Sequence, residues 1–128
     1  MMPFLRRVLA STVVATALVA CSDPTEPRSD ILTVDRVLTD LVFRNLSSEP
    51  VYWMVFDTET LPLLDILLCV QPTSCRSVPP QRTQVVAIKD LPCCVEDTRN
   101  VTVLHYHLVP ASGGGFRADS VRRLRVRL

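Results

Sequence analysis

His105 and His107 are the only histidines in the chain, and they stand at positions i and i+2. On a β-strand that spacing puts both imidazoles on one face, roughly 6.5–7 Å apart. From there they could chelate one metal ion. A third ligand would have to come from another element, with Glu96, Asp97 or a reduced cysteine as nominees. The plain alternative is two half-exposed polar residues on the outer face of a strand. Cysteine–histidine catalysis would need a thiolate beside one of these imidazoles, and no catalytic signature flanks Cys93 or Cys94. There is no G-x-S-x-G nucleophile turn. Gly113 to Gly115 follow a strand pattern but open no helix, so they form neither a phosphate loop nor a dinucleotide fingerprint. The expectation is a protein without catalytic residues or cofactor, in which His105 and His107 are weak metal candidates.

A fifth cysteine belongs to a different story. Arg6 and Arg7 precede Val8 to Ala20, an uncharged run that ends at Cys21. The run is too short to span a bilayer core as a helix, which takes about 20 apolar residues. It has the length and flanks of a signal peptide, so residues 1–20 are set apart from the fold. Leu18-Val19-Ala20-Cys21 resembles the lipobox of bacterial lipoproteins, a resemblance that covers residues 1 to 21 only. It implies cleavage before Cys21, a diacylglyceryl group on its thiol, and acylation of the new amino terminus, palmitate being the expected type of chain. Several buried acyl chains, at about 0.8 kcal/mol per CH₂, anchor a protein stably. Ser22 follows the cysteine where an aspartate would signal inner-membrane retention, so the outer membrane of a bacterial envelope is the expected location. Residues 21–30, the cysteine and SDPTEPRSD, are polar and read as a tether.

With Cys21 lipidated, Cys69, Cys75, Cys93 and Cys94 remain, and an even count in an exported chain argues for disulfides. Cys69 and Cys75 flank Val70-Gln-Pro-Thr-Ser74, a turn-rich loop able to bring them within bridging range. Closing it would stabilise by roughly 2 kcal/mol. Cys93 and Cys94 are adjacent, where a bridge is uncommon, so a crossed pairing of Cys69 with Cys93 or Cys94 stays open.

The whole chain holds 14 basic and 13 acidic residues. Losing the leader removes two arginines and no acid, which leaves a nearly neutral domain with no long-range attraction for nucleic acid. Ten prolines, with Val and Leu dominant, suit short strands better than surface helices.

Residues 31–128 read as one domain. Val37, Thr39, Leu41 and Phe43 alternate with Leu38, Asp40, Val42 and Arg44 as one strand, which would form a hairpin with Val51–Phe56 across the Asn45–Pro50 turn. Val51 to Phe56, VYWMVF, fits a strand buried on both faces. Leu61 to Val70 leans to strand, Val85 to Ile88 is a short one, and Val101 to Val109 alternates well. Ala111 to Gly115 is a turn before a last strand with Leu124, Val126 and Leu128 inward and Arg123, Arg125 and Arg127 outward. Six or seven short strands without a long helix predict an all-β, antiparallel, two-sheet sandwich of immunoglobulin-like shape, with a small β-barrel as the alternative.

Arg117, Arg122, Arg123, Arg125 and Arg127 could meet an anionic partner, or simply solvate an edge strand. Asn45-Leu-Ser47 and Asn100-Val-Thr102 match the glycosylation sequon, which below a bacterial leader is coincidence. The functional expectation is a non-catalytic, lipid-anchored binding or structural module that contacts the membrane through its anchor and meets an envelope protein. Its alternatives are a protease-inhibitor-like or small-ligand-binding sandwich using Gln71 to Pro80, and a metal-binding protein using His105 and His107.

Overall fold

Leu32, Val34, Leu41 and Phe43 alternate with less buried neighbours and are wholly buried, which seats the first two strands on a core. In the computed structural model these are β1 (Leu32–Val37) and β2 (Asp40–Asn45), joined antiparallel with Val37 opposite Asp40. The structure describes residues 29–128; the leader, Cys21 and most of the tether lie outside the described residues. The continuous strand expected across residues 37–44 is therefore a hairpin, broken by a two-residue turn at Leu38 and Thr39. Leu38 takes a φ of 55°, a left-handed conformation that glycine or asparagine usually supplies in such turns. Without one of those residues the turn left no mark in the alternation.

The second expected hairpin is also different. β2 does not pair with β3 (Val51–Asp57); its other neighbour is β5 (Thr83–Ala87). β3 lies in a second sheet, between β4 (Ser77–Val78) and β6 (Asn100–Pro110), and β7 (Phe116–Arg127) closes the order β4-β3-β6-β7. All pairings are antiparallel. Strands one, two and five facing three, six and seven is the immunoglobulin-like division of a sandwich, and the sheets do not close into a barrel. Gly114 and Gly115, at φ of 92° and 70°, make the turn between β6 and β7.

The core lies between the sheets. Leu32, Val34, Leu41 and Phe43 meet Val51, Trp53, Val55, Val78, Val101, Val103, Leu124 and Val126. Phe43 stacks on Trp53 with ring centroids 4.3 Å apart, and Trp53 Nε1 donates to Gln84 Oε1 across the gap at 3.2 Å. Truncating either ring would cost about 3–5 kcal/mol.

β3 is covered on its far face too. Tyr52, Leu104 and Tyr106 are buried outside the inter-sheet cluster, and Tyr52 and Tyr106 stack at 6.2 Å. Their cover is the 58–76 connection, tied down by the Thr58–Thr102 hydroxyl pair at 2.9 Å and by Tyr106 Oη donating to Cys69 O at 2.6 Å. The strand expected at Leu61–Val70 is absent. Leu61–Leu63 form one 3₁₀ turn, entered through Pro62, and the chain then runs without regular pairing to Gln71. Leucines on every side gave no period-2 face, and Leu61 alone of these four (61, 63, 64 and 67) is buried while Leu63, Leu64 and Leu67 are exposed.

One buried polar side chain joins the two sheets. Asn45, 1% exposed at the end of β2, donates its amide to Glu49 O (2.8 Å), Val78 O (3.0 Å) and Pro79 O (3.2 Å). Its Oδ1 accepts from the Ser47 N–H (2.8 Å) and hydroxyl (2.7 Å). An amide so engaged is closed to glycosylation in the folded protein. Asn45→Asp keeps the shape but turns a donor into an anion facing three carbonyl oxygens. The expected loss is at least about 3 kcal/mol of unfolding free energy at neutral pH in urea titration.

Candidate functional site

Antiparallel strands turn alternate backbone groups to alternate neighbours. In β3 the even residues serve β6, a rule that continues where Thr58 N–H donates to Asn100 O at 3.1 Å. The odd residues therefore face the other side. There Val51 meets Val78, and Trp53 N–H donates to Arg76 O at 3.1 Å. Beyond that point the partner strand leaves. Ser74 N–H and Cys75 N–H both turn back to Gln71 O, at 3.1 and 3.0 Å, and Cys75 lies at disulfide distance from Cys69. Among the described residues the N–H and C=O of Val55 then have no hydrogen-bond partner.

Over this stretch of edge lies a cleft of about 270 Å³. Trp53 to Phe56 line its base, Cys69, Ser74, Cys75 and Arg76 one side, and Leu91 and Pro92 the other. The Arg76 guanidinium sits 5.3 Å from the Trp53 ring centroid, a cation–π contact that holds a charge at one end of an otherwise apolar surface. Among the described residues Arg76 has no acidic partner. Burial pushes the Tyr106 phenol above its usual pKa; protonated throughout the neutral range, it donates to Cys69 O and so ties down the 69–75 loop. Sequence reasoning pointed to the Gln71–Pro80 loop but missed the edge, Arg76, Leu91 and Pro92. The pairing of β3 with only two residues of β4 has no local signature.

Cys93 and Cys94 are at disulfide distance from each other, as are Cys69 and Cys75, in place of the crossed pairings left open by the sequence. Both lie half-buried against the core. Cys94 also borders a broader depression at the sandwich end, where Arg36, Asp40, Lys89 and Glu96 mix both signs of charge.

The histidines part company. β6 keeps its alternation, but His105, opposite Trp53, is fully buried on the core side. This corrects the picture of two half-exposed residues on an outer face. His107 lies one step beyond the end of the β3 pairing, its Nδ1 3.0 Å from Pro50 O and 3.7 Å from Glu49 Oε2. Opposite the intervening Tyr106, β7 slips by one residue, with Ser120 at φ 55°. Glu96 and Asp97 sit on the 91–99 connection, and the described cysteines are paired. Among the described residues no three His, Cys, Asp or Glu side chains gather at one point.

Arg123, Arg125 and Arg127 are exposed and alternate with the buried Leu124 and Val126. Arg122 instead holds the register position opposite His105, and Arg117 approaches Asp119 at 3.9 Å. The five do not form one uniform row.

Compared with known proteins, the chain matches no family model, no curated protein and no solved structure.

Both ring nitrogens of His105 are buried and without hydrogen-bond partners among the described residues. Burial first, then Arg122 and His107 nearby, lower its pKa to about 4. The unfolded chain, with an ordinary histidine, takes up that proton near pH 6.5. Between these values the unfolded state holds more protons, so stability is complete above pH 6.5 and falls as the pH drops to about 4. The expected loss from this group is about 3 kcal/mol, read from urea midpoints at pH 7 and pH 4.5. His105→Leu should flatten that slope without lowering stability at pH 7; an unchanged slope would assign the acid sensitivity elsewhere.

Proposed function

We propose that the protein is a non-catalytic, lipid-anchored binding module of the bacterial cell envelope. The observation that carries the binding function is the cleft on β3, where an apolar surface converges with a cation and backbone groups that have no partner among the described residues. Recognition sites typically combine a concave apolar surface with a few placed polar groups. The anchor rests on Leu18 to Cys21, and the tether that follows would hold the sandwich off the membrane. The non-catalytic reading is supported by the chemistry left to the candidate residues. His105 is sealed from solvent, and Cys69, Cys75, Cys93 and Cys94 are at disulfide distance in pairs rather than presented as thiolates.

The small-ligand alternative uses the same cleft, because the Gln71–Pro80 loop supplies one of its walls. The exposed Leu63, Leu64 and Leu67 on the adjoining connection add apolar surface of the kind that marks contact regions.

Two measurements test the proposal. The intact mass of the mature chain should begin at Cys21 and include three acyl chains; an unmodified Cys21 removes the anchor. Trp53 is the only tryptophan, so its emission reports directly on the cleft. Titration with an anilinonaphthalene sulfonate dye should quench it saturably at micromolar dye. Ser74→Phe, which fills the cleft from its disulfide side, should weaken that quenching at least tenfold. Quenching that is absent, or indifferent to Ser74→Phe, removes the cleft as a binding site.

A further inference from the structure

We infer that the cleft takes an extended peptide segment of a partner protein, added as an antiparallel strand to the free edge of β3. The inference rests on the cleft being a binding site and specifies its ligand. What selects a peptide over other apolar ligands is the backbone chemistry of the edge. Val55 presents an N–H and a C=O side by side toward the cleft, without partners among the described residues. Such a pair is matched by one residue of an adjacent antiparallel strand, which exchanges both hydrogen bonds with it.

The vacancy has the dimensions of a strand segment because of how β4 ends. If the chain before Arg76 continued along β3, Ser74 would stand opposite Val55, extending the register Val51–Val78 and Tyr52–Ser77. The Cys69–Cys75 pair and the turn at Gln71 draw it away instead. The edge opposite Met54 to Phe56, between the Trp53–Arg76 hydrogen bond and the Asp57 carbonyl held by the Thr60 hydroxyl, is thereby left open for about three guest residues, roughly 10 Å of strand.

Direction and side-chain preference follow from the same register. A guest antiparallel to β3 runs in the direction of β4 and ends beside Arg76. The residue opposite Val55 shares its face, on the Leu91 and Pro92 side of the cleft, and should be apolar. Its neighbours point to the opposite face, toward Met54, Phe56 and the disulfide. Arg76 would meet an acidic side chain or terminal carboxylate at the C-terminal end of the guest.

The test starts from selection of random heptapeptides on the purified mature protein, followed by titration of a selected peptide against Trp53 emission. Each amide of that peptide is then N-methylated in turn, which removes one donor at a time and leaves the protein untouched. The expected result is a peptide with an acidic C-terminal end that displaces the dye. Methylation of the one guest amide opposite Val55 should weaken it at least tenfold, and methylation at either neighbouring residue should change it little. Arg76→Ala should weaken it severalfold and reduce its salt dependence. A selected peptide in which no single amide is sensitive, or in which adjacent amides are equally sensitive, overturns strand addition. Dye binding sensitive to Ser74→Phe, with no peptide selected, also overturns it while leaving the cleft as a small-ligand site. Failure of dye and peptide alike removes the binding site itself.

Discussion

Asn45 makes the sandwich one object. Two sheets that share only an apolar interface can slide, because the hydrophobic effect has no direction. The Asn45 amide supplies direction at one end of that interface: it leaves the first sheet at the end of β2 and satisfies carbonyls of Val78 and Pro79, where the second sheet begins its edge. It also organises the Ser47–Glu49 turn through which the chain passes from β2 to β3. Buried polar groups are costly unless satisfied, so a sandwich that slipped would break the two hydrogen bonds from the Asn45 amide to Val78 O and Pro79 O together.

That latch has a consequence for the cleft. By holding Val78 and Pro79, it positions β4 against Val51 and Tyr52 of β3 and no further. The Cys69–Cys75 loop then takes the chain off the edge, and Tyr106 pins the loop through Cys69 O. Three constraints of different kinds, a buried amide, a covalent link and a phenol hydrogen bond, thus define an edge that is short, walled and unpaired. Natural sheets usually cover, charge or shorten such edges against indiscriminate pairing. Here the walls restrict access to a short stretch, whereas on the far edge the arginines of β7 serve as the protection.

His105 shows how far local pattern carries and where it stops. The alternation of Val101 to Val109 correctly places His105 with Val101 and Val103, but which of the two faces meets the opposite sheet depends on the partners of β6. Thr102, Leu104 and Tyr106 are apolar enough to be buried as well, and they are, beneath the 58–76 connection. With both faces covered, polarity no longer distinguishes inside from outside, and a histidine ended in the core beside Trp53. The missed turn at Leu38 has a related cause: tertiary pairing with β2 imposed a left-handed φ on a residue that does not ask for one. At Leu61–Val70, leucine density looked like a buried strand but carried no two-residue period, and the segment became a covering connection.

The sequence alone determined the class of fold, because short β-branched and aromatic runs punctuated by proline and glycine have few ways to bury themselves other than as packed antiparallel sheets. It placed β3 and β6 within a residue at each end and the last strand on Leu124 and Val126, since each is long or strongly patterned; of the expected Gln71–Pro80 loop it missed Ser77–Val78, which pair with β3 as β4, because two residues are too few to carry a pattern. Tertiary structure alone decided which strands became neighbours, that Asn45 would join the sheets, that Cys93 would meet Cys94, and that the edge of β3 would stay open. Those outcomes depend on which distant backbone groups find partners. A hydrogen bond left unmade is a property of the assembled sheet, and no single residue type announces it.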